Sequence, residues 1–285
     1  MRSQEDQVWY HVDVNSAYLS WTAAYRVCIL GEDLDLRDIP SVIGGSEAER
    51  HGIVLAKSGS AKRYGIRTGE TLAEARCKCP GLVIVPPDYS LYVGCSKALV
   101  ELLKKYFPHV HQYSIDEAFC RVEGTKGLWG THTAFAHQLK EEIRRELGFT
   151  VNIGVSDCKL LAKMASEFQK PDQVHTLFTR EIERKMWPLP VSDLFWVGPA
   201  TVRKLGALGI RTIGELAVMD LELLKRHLKK QGEFIWNYAN GRDVSPFLRE
   251  LPRNKGYGNS MTTPFDVTDR ETAWQVILSL TETVC

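Results

Sequence analysis

The 285 residues carry 36 lysines and arginines against 35 aspartates and glutamates, a formal net charge of +1, with 44% hydrophobic and 25% charged residues. That is the mix of a globular protein long enough for two or more compact units, and it excludes collagen, coiled coil and wholesale disorder. No apolar run approaches the roughly 18 residues that span a bilayer, and the acidic start Met1–Gln7 lacks the apolar stretch of a secretory signal. Seven scattered cysteines without a CxxC pair read as reduced cytosolic thiols; only Cys77-Lys78-Cys79 comes near a zinc spacing.

Val8–Val14, rich in β-branched and aromatic residues, predicts a buried strand, and a helix follows over 15–30 with Asn15 or Ser16 as its cap. Residues 34–42 read as a loop leading into a strand, Gly44-Gly45 as a turn, and 52–56 as a strand before a helix from Ala61. A short helix over 72–77 and a strand over 82–85 come next. Helical periodicity over 89–107 puts Tyr92, Leu99, Leu102, Leu103 and Tyr106 on one face. Strands over 109–114 and 118–122 enclose Ile115-Asp116-Glu117. A helix over 131–147, a strand over 150–155 and a helix over 159–168, which Lys170-Pro171-Asp172 ends, belong to a region over 1–176 that reads as α+β. Residues 180–240 read as short helices only. Gly241–Gly258 has the look of a linker; a strand over 257–263 and a helix over 268–284 then open a domain that the chain leaves unfinished.

Three features carry chemistry. Asp13 closes an apolar strand, and Asp116-Glu117 sits between two others, so the three carboxylates can gather at strand ends if the hairpin turns or bulges. Oxygen-only donors suit Mg²⁺, and two such ions would activate an attacking oxygen and stabilise a leaving pyrophosphate. A hairpin with solvated acids is the alternative. Lys57, Lys62 and Arg63 surround Ser58-Gly59-Ser60, and Lys170 follows a separate helix; these suit phosphate binding, or a plain solvated loop. From Val197-Gly198-Pro199 to Leu216, two short helices meet at a glycine-containing turn. Between Arg203 and Lys255 eleven bases face six acids, a local excess of five positive charges. The alternative there is a small helical domain with a basic surface. His109 and His111 share a strand face with no third ligand apparent, and Trp9, Trp187, Trp196 and Trp236 read as packing.

Taken together, His11-Val12-Asp13-Val14-Asn15-Ser16-Ala17-Tyr18, Ser114-Ile115-Asp116-Glu117-Ala118-Phe119 and the double helix over 197–216 resemble the Y-family, or translesion, DNA polymerases. The resemblance implies an α+β right-hand fold. Its palm would span 1–16 and 84–176, small fingers 17–83, and an all-α helix-hairpin-helix thumb 177–241. A linker over 242–256 would lead to an incomplete little finger over 257–285. It also implies Asp13, Asp116 and Glu117 as catalytic metal ligands for two Mg²⁺ ions, with Mn²⁺ as a substitute, joined by the Val14 carbonyl. Tyr18 would be the steric gate against a 2′-hydroxyl, Lys62 and Lys170 would contact the incoming triphosphate, and Gly198, Arg203, Lys204 and Gly209 would hold DNA.

Primer–template DNA and dNTP are the implied partners, with a sliding clamp in a full-length form, no membrane, a monomeric state and a bacterial, nucleoid-associated cytoplasmic setting. The implied role is low-fidelity synthesis in DNA repair and damage tolerance. Many members carry a Tyr–x–x–Arg pair where this chain has Gly59 and Lys62, which leans towards the UmuC-type branch. Two other classes are a non-catalytic DNA-binding protein of the same shape and a different two-metal enzyme on a palm-like sheet, such as a nucleotide cyclase. Intact carboxylates oppose the first and the helical hairpin opposes the second.

Overall fold

The structure, a computed structural model, describes residues 7–46, 52–123, 130–243 and 255–285. Strand β1 (Gln7–Val14) has seven of its eight residues buried, as an apolar run covered on both faces should. Helix α1 (Ala17–Cys28) starts after Ser16, which caps it at φ 48° without a side-chain bond. Strand β2 (Ser41–Gly44) takes in Gly44, against the turn expected there: a side chain at Gly44 would collide with Leu72, so the glycine admits close packing instead. After β3 (Val54–Lys57), helix α2 (Gly59–Arg63) begins two residues ahead of Ala61 because the Ser58 hydroxyl accepts the Ala61 N–H at 3.0 Å. Helix α3 (Leu72–Lys78) opens on a Thr71/Glu74 capping box.

Strand β4 (Val83–Val85) and helix α4 (Tyr89–Lys104) follow, the latter burying Tyr92, Leu99, Leu102 and Leu103. Strand β5 (His109–Gln112) pairs with β6 (Glu117–Glu123), so Glu117 is a strand residue and not part of the turn. Helix α5 (His132–Leu147), strand β7 (Val151–Ser156) and helix α6 (Lys159–Glu167) come next. Strand β8 (Val174–Thr176) has no counterpart in the sequence pattern; three residues are too few for an alternation to register. Short helices α7 (Ile182–Lys185), α8 (Pro199–Ala207), α9 (Ile213–Ala217), α10 (Leu221–Leu228) and α11 (Lys230–Ala239) share one core with α6, around Leu161, Leu205, Ile213, Leu216, Leu224 and Ile235.

The expected linker falls largely on residues 244–254, outside the described ones. Residues 257–263 form no strand: no ladder partner exists for them among the described residues. Helix α12 (Arg270–Val284) forms, capped by Asp269, with none of its residues buried and Trp274 64% exposed. Among the described residues no helix is long and apolar enough to cross a membrane.

The chain divides into two units, Met1–Asn15 with Ser90–Ser245, and Ser16–Tyr89 with Pro246–Cys285. The first holds a five-stranded sheet in the order β5-β6-β1-β7-β8, antiparallel except for β7 and β8. The second holds β3-β2-β4, with β4 parallel to β2. In the first unit one glycine matters most. A Cβ at Gly154 would lie 1.9 Å from the Ala162 carbonyl oxygen and 2.6 Å from the Ser166 nitrogen. Glycine there lets the backbone of α6 rest directly on β7.

Candidate active site

The centre of the five-stranded sheet sets the site. Asp13 on β1 stands opposite Glu117 on β6 in the antiparallel register, and the Val14 N–H donates to the Asp116 carbonyl at 3.1 Å. One oxygen each from Asp13, Glu117 and Glu167 lies within 4.8 Å of the others. Asp13 and Glu117 therefore come together as the sequence reading expects. Glu167, at the end of α6, is a carboxylate that reading missed. The Asp116 carboxylate lies outside that group and accepts the Ser114 hydroxyl at 2.6 Å. Nothing in the sequence pattern singles Glu167 out: on a helix, three residues before Lys170, it reads as half of a surface ion pair.

Why α6 ends where it does is visible in Asn152, a fully buried side chain on β7. Its amide nitrogen donates to the Ser166 and Gln169 carbonyls at 2.9 and 2.6 Å. Its oxygen accepts from the Asn15 amide at 3.1 Å and from the Gln173 N–H at 3.2 Å. Asn15 in turn accepts the Asp172 N–H at 2.9 Å. The segment bearing Glu167 and Lys170 is thus tied to the end of β1 by a buried polar network.

The charges follow from burial. Asp13 is 6% exposed, and burial pushes its carboxyl up to about 7 against the pull of the Lys170 ammonium, 3.1 Å from Oδ1. Lys170 also donates to Glu167 at 2.9 Å; burial works against its charge, but Asp13 and Glu167 together raise its pKa. Burial would raise the Glu117 carboxyl too, yet the Lys163 ammonium, donating to it at 2.7 Å, outweighs that and holds it low. His11 is fully buried and lowered by desolvation to about 4, so its ring is neutral near pH 7. Its Nε2, 3.6 Å from Glu117 Oε2, has no hydrogen-bond partner among the described residues and faces the acidic group. Three hard oxygen donors this close, on a partly desolvated floor, fit a divalent cation.

The remaining expected residues lie elsewhere in the chain. Tyr18 is half-buried on α1, with its ring centroid 6.1 Å from that of Trp21 and 6.2 Å from that of Tyr89. Lys62 is exposed on α2. Gly198 caps α8 ahead of Pro199, Arg203 and Lys204 are exposed on that helix, and Gly209 makes the turn towards α9 at φ +80°.

Residues 12–167, more than half of the chain, match the model of the impB/mucB/samB family. The chain is 50% identical over 277 residues to DNA polymerase IV of Clostridium acetobutylicum, covering 97% of this chain and 69% of that one. The chain belongs to the Y family of DNA polymerases. It is also 41% identical to DNA polymerase IV of Acetivibrio thermocellus, over 98% of this chain and 68% of the other. The Y-family fold extends to solved structures. A Y-family DNA polymerase chimera matches with TM-score 0.81 at 21% identity, over 97% of this chain and 78% of its own. DinB from Sulfolobus solfataricus matches with TM-score 0.74 at 22% identity, over 84% and 68%. Both relatives are named DNA polymerase IV, and the matching family model is that of impB, mucB and samB.

Proposed function

We propose that this Y-family DNA polymerase adds a deoxynucleotide from dNTP to a primer 3′-hydroxyl on template DNA, with Asp13, Asp116 and Glu117 as its metal ligands. The observation that carries this is the pairing of Asp13 with Glu117 across β1 and β6, with Glu167 closing the group within 4.8 Å. Two Mg²⁺ ions, or Mn²⁺ in their place, would lower the pKa of the attacking hydroxyl and steady the leaving pyrophosphate. The protein's own part is positioning and charge. Asp13, held at the end of a buried strand, presents a carboxylate at a fixed depth, and the Val14 carbonyl follows it on the same strand end. Asp116 has its backbone fixed to Val14 and its carboxylate steadied by Ser114. Lys170 balances Asp13 and Glu167, and its four-carbon stem allows the same ammonium to pair with a triphosphate oxygen.

Tyr18 serves as the sugar gate and Lys62 as a second triphosphate contact. The bounds proposed for the parts are palm over 1–16 and 84–176, fingers over 17–83 and thumb over 177–241. The N-terminus of α8 at Gly198, with Arg203, Lys204 and the Gly209 turn, offers backbone N–H groups and positive charge to a phosphate backbone without reading bases. Low-fidelity translesion synthesis in the bacterial cytoplasm is the role typical of such an enzyme. Primer extension with Mg²⁺ on an undamaged template and on one with an abasic site tests the reading, with Asp116→Ala beside the wild type. Extension by the wild type alone, at equal DNA affinity, supports it. Extension by Asp116→Ala at the wild-type rate removes Asp116 from the metal ligands.

A further inference from the structure

Lys163 on α6 is only 7% exposed, an unusual depth for a lysine. Its Nζ donates to Glu117 Oε2 at 2.7 Å and stands 5.3 Å from the Tyr113 ring centroid and 5.0 Å from that of Phe195. Glu117 is its one acidic partner among the described residues. A buried ammonium is costly, and an apolar side chain of similar length would fill the space between two rings at less cost. The charge therefore acts on Glu117.

His11 does not do the same work. The single hydroxyl proton of Ser166 goes to the Lys163 carbonyl at 2.7 Å, so the 2.8 Å contact between Ser166 Oγ and His11 Nδ1 requires the ring to donate. The lone pair of His11 is then on Nε2, turned towards Glu117 Oε2 at 3.6 Å. Two acceptors face each other there, and among the described residues only Lys163 offers a proton and a positive charge to that oxygen.

We propose that Lys163 is a positioning residue of the metal site: it fixes Glu117 by one oxygen and weakens the negative field there. Divalent cations are then held in a geometry suited to transfer rather than as tightly as the surrounding carboxylates would hold them. This rests on the reading of those carboxylates as a metal site. It predicts two effects of opposite sign. Lys163→Met leaves the carboxylates uncompensated and Glu117 loose, so cations bind more tightly and extension slows. A mere packing defect weakens both.

The probe is Mn²⁺, followed by loss of its free paramagnetic resonance signal on the full DNA-free chain, together with single-turnover extension at saturating Mn²⁺. Lys163→Met should bind Mn²⁺ about threefold more tightly or better, and extend at least about tenfold more slowly. Lys163→Arg, whose guanidinium suits the two flanking rings, should recover both. Affinity no tighter than wild type, or extension at the wild-type rate, overturns the proposal. If urea unfolding shows Lys163→Met to be unfolded, Lys163→Gln replaces it. That variant keeps a donor for Oε2 and removes the charge, so it should still bind Mn²⁺ more tightly, and unchanged affinity overturns the proposal equally. Asp13→Asn run in parallel separates the two readings. If it binds Mn²⁺ like the wild type, the metal site itself falls and the Lys163 proposal with it. If it loses Mn²⁺ while Lys163→Met matches the wild type, only the Lys163 proposal falls.

Discussion

Gly154→Ala adds one methyl group at the place where α6 meets the sheet. The new Cβ would lie 1.9 Å from the Ala162 carbonyl oxygen, whereas ordinary contact begins at 3.4 Å, so the two backbones must part by about 3.4 − 1.9 = 1.5 Å. Both colliding atoms belong to helix backbone, so no side chain can turn aside. Overpacking costs about 1–3 kcal/mol, and this geometry belongs at the upper end. A domain of ordinary stability, about 5–15 kcal/mol, still folds after such a loss. Its chemistry suffers more. Glu167, Lys163 and, through the Asn152 network, Lys170 all depend on where α6 lies. A displacement of about 1 Å in a catalytic group costs on the order of a hundredfold in rate. Urea unfolding should show Gly154→Ala destabilised by about 3 kcal/mol, and single-turnover primer extension should be slowed about a hundredfold. Gly94→Ala is the control: it sits within α4, a methyl group added there would meet nothing within 4 Å, and the variant should gain about 0.5–1 kcal/mol. A Gly154→Ala protein within about 0.5 kcal/mol of wild type, extending at the wild-type rate, would refute the close seating of α6 on β7.

Asp13→Asn tests the buried charge through pH. The folded-state pKa is raised from 3.8 to about 7, so the native state holds a proton that the unfolded chain releases, and wild-type stability falls as pH rises through that window. In a chelator, the variant should gain on the wild type from about pH 4 to pH 7 and hold a constant lead above it; a lead independent of pH contradicts the assignment. Added Mg²⁺ should then raise the melting temperature of the wild type and not that of the variant. Tyr18→Ala should admit ribonucleotides, and unchanged sugar selection would place the gate at another residue. Arg203→Ala and Lys204→Ala should each weaken DNA binding for all sequences alike and lower the salt slope by about one unit where the side chain meets a phosphate; an unaltered slope removes that residue from the DNA surface.

Much of the five-stranded sheet was legible because its strands are short apolar runs, and a carboxylate at the end of such a run is conspicuous. Asp13 closes one run, and Asp116-Glu117 falls between two others. Glu167 was hidden for the opposite reason: on a helix, three residues before a lysine, it reads as an ordinary surface pair. Its approach to Asp13 depends on a missing side chain at Gly154 and on a buried amide at Asn152, neither of which leaves a trace in hydrophobic periodicity. The cap of α1 was half-read for a similar cause. Asn15 looked like a cap, but its amide is spent on Asn152, Thr150 and Asp172 across the sheet. Residues 257–263 have the composition of a strand, and composition says nothing about whether a partner strand exists.

The most direct test of the central claim is incorporation of a single dNTP at saturating primer–template, measured across a Mg²⁺ series for the wild type, Asp13→Asn and Glu117→Gln. The account predicts a wild-type rate that rises and saturates with Mg²⁺, and a loss of about a thousandfold or more in either variant at unchanged DNA affinity. Wild-type rates from either variant would contradict it.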